Sequence, residues 1–257
     1  MKKKEQRMND IMELIREQPA ISVKELAKIL DVSEMTIRRD IAYLKESHAL
    51  TQTLGMNMIS SSSAQPPMLY DFQYELERNV EAKERIARKA SDMIRPRDIL
   101  ILDSSTTVSK IVPYIPHNME LTVISGNYYI INKLPKNGVI NLIVPGGVYN
   151  RQLQMFESSE GINIIKEHRA TKYFFSASGI HEHLGMTCSY AFEVLTKRAG
   201  IASSACKILL ADSSKFGIIT TSYFAKLNEA DVIITDSGIS GEWKKIIEDM
   251  GIELHIV

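Results

Sequence analysis

On either side of residues 60–67, SSSSAQPP, the hydrophobic pattern runs with a different period. That change restricts the chain to two folding units of different class. Small polar residues ending in a proline pair extend neither a helix nor a sheet ladder, so the run reads as a linker. Before it, Met8, Ile11, Met12 and Ile15 fall at i, i+3, i+4 and i+7, the stripe of a helix with one buried face. Pro19 stops that helix. Ser22 and Glu25 make a capping-box pattern that opens a second helix, with Val23, Leu26, Ala27 and Leu30 inward. Asp31 and Val32 form a tight turn, and Ser33 caps a third helix that buries Ile37, Ile41 and Leu44. Residues 49–59 can form two short strands around Gly55.

Beyond the linker a long amphipathic helix is expected over residues 74–94, closed near Pro96. Short apolar runs then alternate with helical or loop segments: Ile99–Leu102, Leu121–Ile124, 139–144, 173–175, 208–211, Val232–Thr235 and 252–257. Continuous apolar strands alternating with helices indicate an α/β fold with a mostly parallel sheet covered on both faces. A length of 257 residues suits one small and one medium domain. The expected boundaries are 1–59, a linker over 60–67, and 68–257.

Lys+Arg and Asp+Glu both number 31, so any surface for nucleic acid must be a local patch. The start of the chain, with Lys2, Lys3, Lys4 and Arg7, is either a solvated terminus or an arm lying along phosphates. Two cysteines, Cys188 and Cys206, without paired spacing fit a reducing compartment. No run approaches the ~20 apolar residues of a membrane span. The lysine-rich start leads into an amphipathic segment instead of a signal peptide, so the cytoplasm and no membrane contact are expected. No cofactor is expected: no G-x-G-x-x-G follows a strand and no phosphate-binding G-x-x-x-x-G-K-[ST] occurs. No metal is expected either, because His181-x-His183 has no evident third ligand.

Residues 21–45, ISVKELAKILDVSEMTIRRDIAYLK, carry the most specific signal. Two capped helices joined by a tight turn, with Val32 tucked beneath it, make a helix-turn-helix. Burying Ile37, Ile41 and Leu44 leaves Glu34, Met35, Thr36, Arg38, Arg39 and Tyr43 on the open face. Such a helix fits the major groove, where arginine pairs with guanine edges and threonine reaches base edges or phosphate. Ser22, Lys24 and Ser33 at the helix starts complete the candidate contacts to double-stranded operator DNA.

The second unit concentrates small polar residues at its strand ends. Ile99–Leu102 runs into Asp103, Ser104, Ser105, Thr106 and Thr107, a turn whose amides, hydroxyls and helix dipole suit phosphate. Another strand end carries Asp212-Ser-Ser-Lys215, where Lys215 can neutralise a phosphate and Asp212 orient it. Asn127, Gly146 and Gly147 lie at two more, and Ser176-Ala-Ser-Gly179 and Thr235-Asp236 at the last two. In open α/β sheets ligands sit outside the carboxyl ends of the strands.

These motifs carry a family resemblance over nearly the whole chain. VSEMTIRRD resembles the recognition-helix signature of DeoR-family bacterial regulators of sugar metabolism. LDSSTT, SGN, PGG, EVLTKRA, ADSSKFG and ITD follow in that family's order. The resemblance implies a winged helix-turn-helix domain and a sugar-phosphate sensor domain similar to ribose-5-phosphate isomerase. It implies phosphate at residues 104–107 and sugar contacts from Asp103, Glu193, Lys197 and Lys215. The chain departs from the pattern in two places. Serine stands where the phosphate loop usually has glycine, and the wing segment HALTQTLGM lacks the family's basic residues.

The expected function is therefore a sequence-specific regulator, a repressor of a carbohydrate operon, controlled by a phosphorylated sugar or polyol. Two half-sites require a homodimer, and the resemblance allows a homotetramer. Two rival readings differ in class. A sugar-phosphate isomerase would need an acidic segment at a strand end, where this chain has Ser176-Ala-Ser-Gly-Ile-His-Glu182. An interaction module would use the α/β domain only to associate.

Overall fold

The computed structural model describes residues 7, 8, 10, 11, 13, 14, 23–37, 39, 40, 70–134 and 139–257, the side chain of Lys24 excepted. The chain divides into two compact units, Met1–Met68 and Leu69–Val257. The hairpin expected over 49–59 and the linker over 60–67 lie outside the described residues.

In the first unit α1, Val23–Ile29, is followed by a turn and by helical residues at 34–37, 39 and 40. Asp31 takes φ 49°, the left-handed turn conformation that aspartate tolerates. The Val32 amide bonds back to the Ala27 carbonyl at 3.0 Å, which closes the turn. Val23, Leu26, Ala27 and Ile37 are buried together with Met8 and Ile11, while Leu30 and Val32 are half-buried. Arg7 does not belong to a free arm. Its Nε pairs with Asp40 at 2.6 Å, and that carboxylate is only 1% exposed, so the charge helps to close the helical unit.

The second unit is built on a seven-stranded parallel sheet. Its strands are β1 Ile99–Leu102, β2 Leu121–Ile124, β3 Ile140–Ile143, β6 Ala170–Phe175, β9 Ser204–Leu210, β11 Val232–Thr235 and β12 Glu253–Ile256. Their order is β12-β11-β9-β6-β1-β2-β3. Because side chains alternate along a strand, each run feeds two cores. Leu100, Leu102, Phe174, Ile208 and Leu210 face one side. There they meet Ile86, Ala87 and Ala90 of the helix Val80–Ser91. Ile101, Tyr173, Phe175 and Leu209 face the other. There they meet Ile162 and Ile165 of Ser159–Glu167 and Ala199 of Glu193–Ser203.

Two features depart from the sequence reading. The helix expected over 74–94 is broken into α2, Phe72–Leu76, and α3, Val80–Ser91. Asn79 between them adopts φ 50°, and its amide donates to Asp212 Oδ1 at 2.9 Å and Ser214 Oγ at 3.3 Å. The break is fixed by that long-range tie, which helical periodicity does not encode. Two small antiparallel sheets were also not expected. One joins β4, Val148–Asn150, to β5, Met155–Glu157. The other orders β10, Ser222–Ala225, beside β8, Gly185–Cys188, and β7, Gly179–His181. Among the described residues no helix is long and apolar enough to cross a membrane.

Candidate functional site

The strand order reverses direction beside β1: the chain proceeds from β1 to β2 and β3 on one side, then returns to β6, β9, β11 and β12 on the other. Such a switch point leaves a crevice at the carboxyl ends of the two diverging strands. Here those ends carry Asp103–Thr107 after β1 and Ser176–Ser178 after β6. A cleft opens there, lined by Tyr70, Glu75, Lys83, Ser104–Thr107, Ser176–Ser178, Glu193, Lys197 and Lys215. Its free volume is about 20 Å³, room for one water molecule.

The turn after β1 is closed by its own side chains. Ser105 Oγ accepts from the Val108 amide at 3.0 Å, capping the one-turn helix α4, Thr106–Ser109. Ser104 to Thr107 are all buried. Lys197, from the helix α7, Glu193–Ser203, donates to Asp103 Oδ2 and, at 3.0 Å, to the Ser176 carbonyl. Both partners of this ion pair are 4% exposed. Burial alone would lower the Lys197 pKa, but the Asp103 and Glu193 charges outweigh it and raise the value. Glu193 is pushed up to about 7 by burial, with Asp103 adding to the shift and Lys197 and the Tyr190 amide opposing it.

Across the cleft, Lys215 donates to Glu75 Oε2 at 3.1 Å. Burial raises the Glu75 pKa, yet Lys215, Lys83 and Arg78 bring it below the usual carboxylate value. Lys83, 1% exposed, donates to the Glu75 carbonyl and to Thr106 Oγ1, the latter at 3.0 Å. Its pKa is lowered to about 8, chiefly by burial. Tyr70 is held through its backbone, whose carbonyl accepts from Tyr190 Oη at 3.0 Å.

Ser104, Ser105, Thr106, Thr107, Glu193, Lys197 and Lys215 thus meet in one cleft, and Asp103 is joined to it through its ion pair with Lys197. Asp212 lies beside it, with Oδ1 accepting from Asn79 and Ser214 and Oδ2 buried without a partner. Asn127, Gly146 and Gly147 are not brought to the cleft. Asn127 caps the helix Tyr128–Lys133 by accepting from the Ile130 amide at 2.9 Å. Gly146 and Gly147 have φ 73° and 117°, and a Cβ on Gly147 would fall 2.2 Å from the Glu157 carbonyl oxygen, so both serve the turn into β4. Tyr70, Glu75 and Lys83 join the site unexpectedly. For Lys83 a signal existed: it lies on the same stripe as Ile86, Ala87 and Ala90, where a lysine has no reason to be buried alone.

In the first unit Ser33 caps the following helix, accepting from the Thr36 amide at 3.2 Å. Glu34, Met35 and Arg39 are exposed and Thr36 is half-buried, around the buried Ile37. Ser22, Arg38, Tyr43 and the Lys24 side chain lie outside the described residues. Among the described residues no group of three or more His, Cys, Asp or Glu is placed to hold a metal ion.

Comparison with known proteins follows the same division. Residues 7–62 match the DeoR-like helix-turn-helix domain, and residues 78–237 match the DeoR C-terminal sensor domain. The chain is 30% identical over 251 residues to the HTH-type transcriptional regulator GolR of Listeria innocua, covering 98% of each. It is 31% identical over 242 residues to the lactose phosphotransferase system repressor of Staphylococcus epidermidis, covering 93% of this chain and 95% of that one. Overlap with solved structures is slighter. Ribose 5-phosphate isomerase A from Neisseria gonorrhoeae gives a TM-score of 0.38 at 13% identity, over 54% of this chain and 53% of that one.

Proposed function

From the premise that this chain belongs to the DeoR family of helix-turn-helix transcription regulators, we propose that it represses a carbohydrate- or polyol-utilisation operon under the control of a phosphorylated sugar or polyol. The observation that carries the effector reading is the meeting of three lysines, Lys83, Lys197 and Lys215, with the Ser104–Thr107 turn in one buried cleft. Cations and hydroxyls there suit a phosphate, and Asp103 and Glu193 suit sugar hydroxyls. A relative named as a repressor of a lactose phosphotransferase system supports the carbohydrate connection.

Residues 1–59 act as the DNA reader, 60–67 as the linker and 68–257 as the sensor. Thr36, Arg38, Arg39 and Tyr43 read or clamp the operator, with Ser22, Lys24, Ser33, Glu34 and Met35 around them. One recognition helix supplies too little specificity, so the working form in the cytoplasm is a homodimer or homotetramer. The cleft serves sensing and not catalysis. The isomerase reading needs an acidic segment at the strand end, and Ser176–Ser178 carries no carboxylate there; Glu193, the carboxyl of the cleft that titrates near 7, is read as a sugar contact.

A thermal-shift screen with phosphorylated sugars and polyols, against their unphosphorylated counterparts, tests the sensor. A selective, saturable rise with a phosphorylated compound is expected, because a ligand stabilises the state it binds. No rise with any of them would reduce the second unit to an association module. Arg38→Ala and Arg39→Ala should each weaken operator binding by about 1–3 kcal/mol, if each reads a base, and leave the thermal shift intact. Operator affinity unchanged in both would remove this helix from the DNA.

A further inference from the structure

We infer that the Tyr70 side chain is a strap lying in the effector's place, that the effector lifts it on binding, and that this lifting carries occupancy to the linker; the inference rests on the sensor reading above and names the moving part of that site.

The cleft leaves about 20 Å³ free, whereas pockets for small metabolites hold roughly 300 Å³ or more. A wall must therefore yield, and most of the wall is fastened. The Ser104–Thr107 turn is buried and capped by Ser105 Oγ, and Lys197 holds the end of β6 through the Ser176 carbonyl. The Ser178 amide donates to the Thr187 carbonyl at 2.9 Å. Lys215 and Glu75 hold each other, and Lys83 ties the Glu75 carbonyl to Thr106. Tyr70 belongs to neither helix nor strand, and it is half-buried. Two residues on, Phe72 is fully buried, with its ring 5.7 Å from that of Tyr129 and its amide donating to the Gln152 carbonyl at 2.7 Å. Tyr70 can thus swing about a pinned residue.

The Tyr70 hydroxyl faces Thr106 and lies among Glu193, Glu75 and Asp103. Burial first, and then those three charges, raise its pKa well above the usual tyrosine value, so it stays a neutral hydroxyl. A neutral hydroxyl is also what a sugar presents, and Thr106, Asp103 and Glu193 are the groups read as effector contacts. The two cannot be seated together. Tyr70 stands three residues beyond Pro67, where the linker ends. Three residues span at most about 10 Å, so a displaced Tyr70 takes the end of the linker with it. Tyr190 latches the strap to the cleft: its hydroxyl donates to the Tyr70 carbonyl at 3.0 Å, and its amide donates to Glu193 Oε1 at 3.1 Å.

The test is titration of the full chain with the hexose, pentose or polyol phosphate that gives the largest thermal shift in wild type or in Tyr70→Ala. Tyr70→Ala should bind that ester about fivefold more tightly, because wild type must first return a half-buried ring to water. A residue that merely contacts the effector would give the opposite sign. Tyr190→Phe changes a group outside the cleft lining and should bind roughly two- to tenfold more tightly, the range for one lost neutral hydrogen bond. Operator binding by Tyr70→Ala should no longer respond to the ester, although the ester binds. Equal or weaker ester affinity in Tyr70→Ala overturns the strap; where that variant does not fold, wild-type affinity in Tyr190→Phe overturns it. A full operator response in Tyr70→Ala overturns the coupling to the linker. If neither wild type nor the variants bind any ester, the sensor reading falls as well; if wild type binds and Tyr70→Ala binds no tighter, this inference alone falls.

Discussion

At the amino end of the sheet, Lys207 pairs with Asp231 at 2.9 Å and Arg97 with Glu120 at 3.3 Å, and their side chains are between 21% and 83% exposed. At the carboxyl end, Lys197 and Asp103 pair with 4% exposure each, Glu193 is 6% exposed and Lys83 is 1% exposed. These two exposed pairs can exchange each other for water at little cost, unlike Asp98 and Lys172 at the same end, which are 8% and 18% exposed and hold each other at 2.6 Å. The charges at the second end rely on one another and on a few buried hydrogen bonds, and taking ions out of water costs several kcal/mol apiece even after relaxation. A fold selected for stability alone would fill that end with apolar side chains, as it fills the interior of the same strands. A cluster of buried charge retained there at a cost in stability is what the proposed effector site requires.

The sharpest way to break this comparison is to remove one partner of the buried pair. Lys197→Met leaves the Asp103 carboxylate buried without its cation, with the Ser176 amide, 3.3 Å away, still donating to it. A loss of about 3–5 kcal/mol in unfolding free energy is expected in denaturant titrations at neutral pH. Combining it with Asp103→Asn should recover most of that loss, since the orphaned charge is gone. A single variant as stable as wild type would mean that water reaches this end too.

The next effect is one of pH. The Glu193 carboxyl, ordinarily near 4.5, titrates at about 7 in the folded chain. Between these values the folded state holds the proton more tightly than the unfolded state, so stability declines as pH rises through the window. The full difference is about 3 kcal/mol, treating the site as isolated. Glu193→Gln keeps an acceptor for the Tyr190 amide and removes the titration. Its stability relative to wild type should therefore grow from pH 4.5 to pH 7 and level off above. A difference that stays constant across that range would assign Glu193 to a solvated environment like that of the amino end.

How far these two ends could be told apart from sequence differs between backbone and site. The central strands were legible because continuous apolar runs admit few other structures: Ile99–Leu102, Leu121–Ile124 and Val232–Thr235 stand as read. The polar residues after β1 were legible as a Ser/Thr-rich turn between a strand and a helix start, and Glu193 and Lys197 only through the family resemblance. Asn127, Gly146 and Gly147 looked the same in sequence as the cleft residues, being small polar groups at strand ends. Their work is local capping and turning, which only packing distinguishes. The wall formed by Tyr70 and Glu75 depends on a helix break tied to Asp212 from more than a hundred residues away, and no local pattern carries that information.

The smallest effect is expected at the amino end, and it calibrates the others. Lys207→Met removes one partner of the Asp231 pair, whose carboxylate side chain is 46% exposed and also accepts from the Lys207 backbone amide at 2.7 Å. That amide bond survives the substitution, and water replaces the ammonium. The change in unfolding free energy should be at most about 1 kcal/mol and should shrink further in high salt, which screens exposed charges. Measured beside Lys197→Met in the same buffer, it isolates burial as the variable: the charge removed is the same and the partner is again an aspartate. Equal losses at the two positions would mean that the carboxyl end is no more desolvated than the surface, and the physical case for a ligand cleft there would lose its footing.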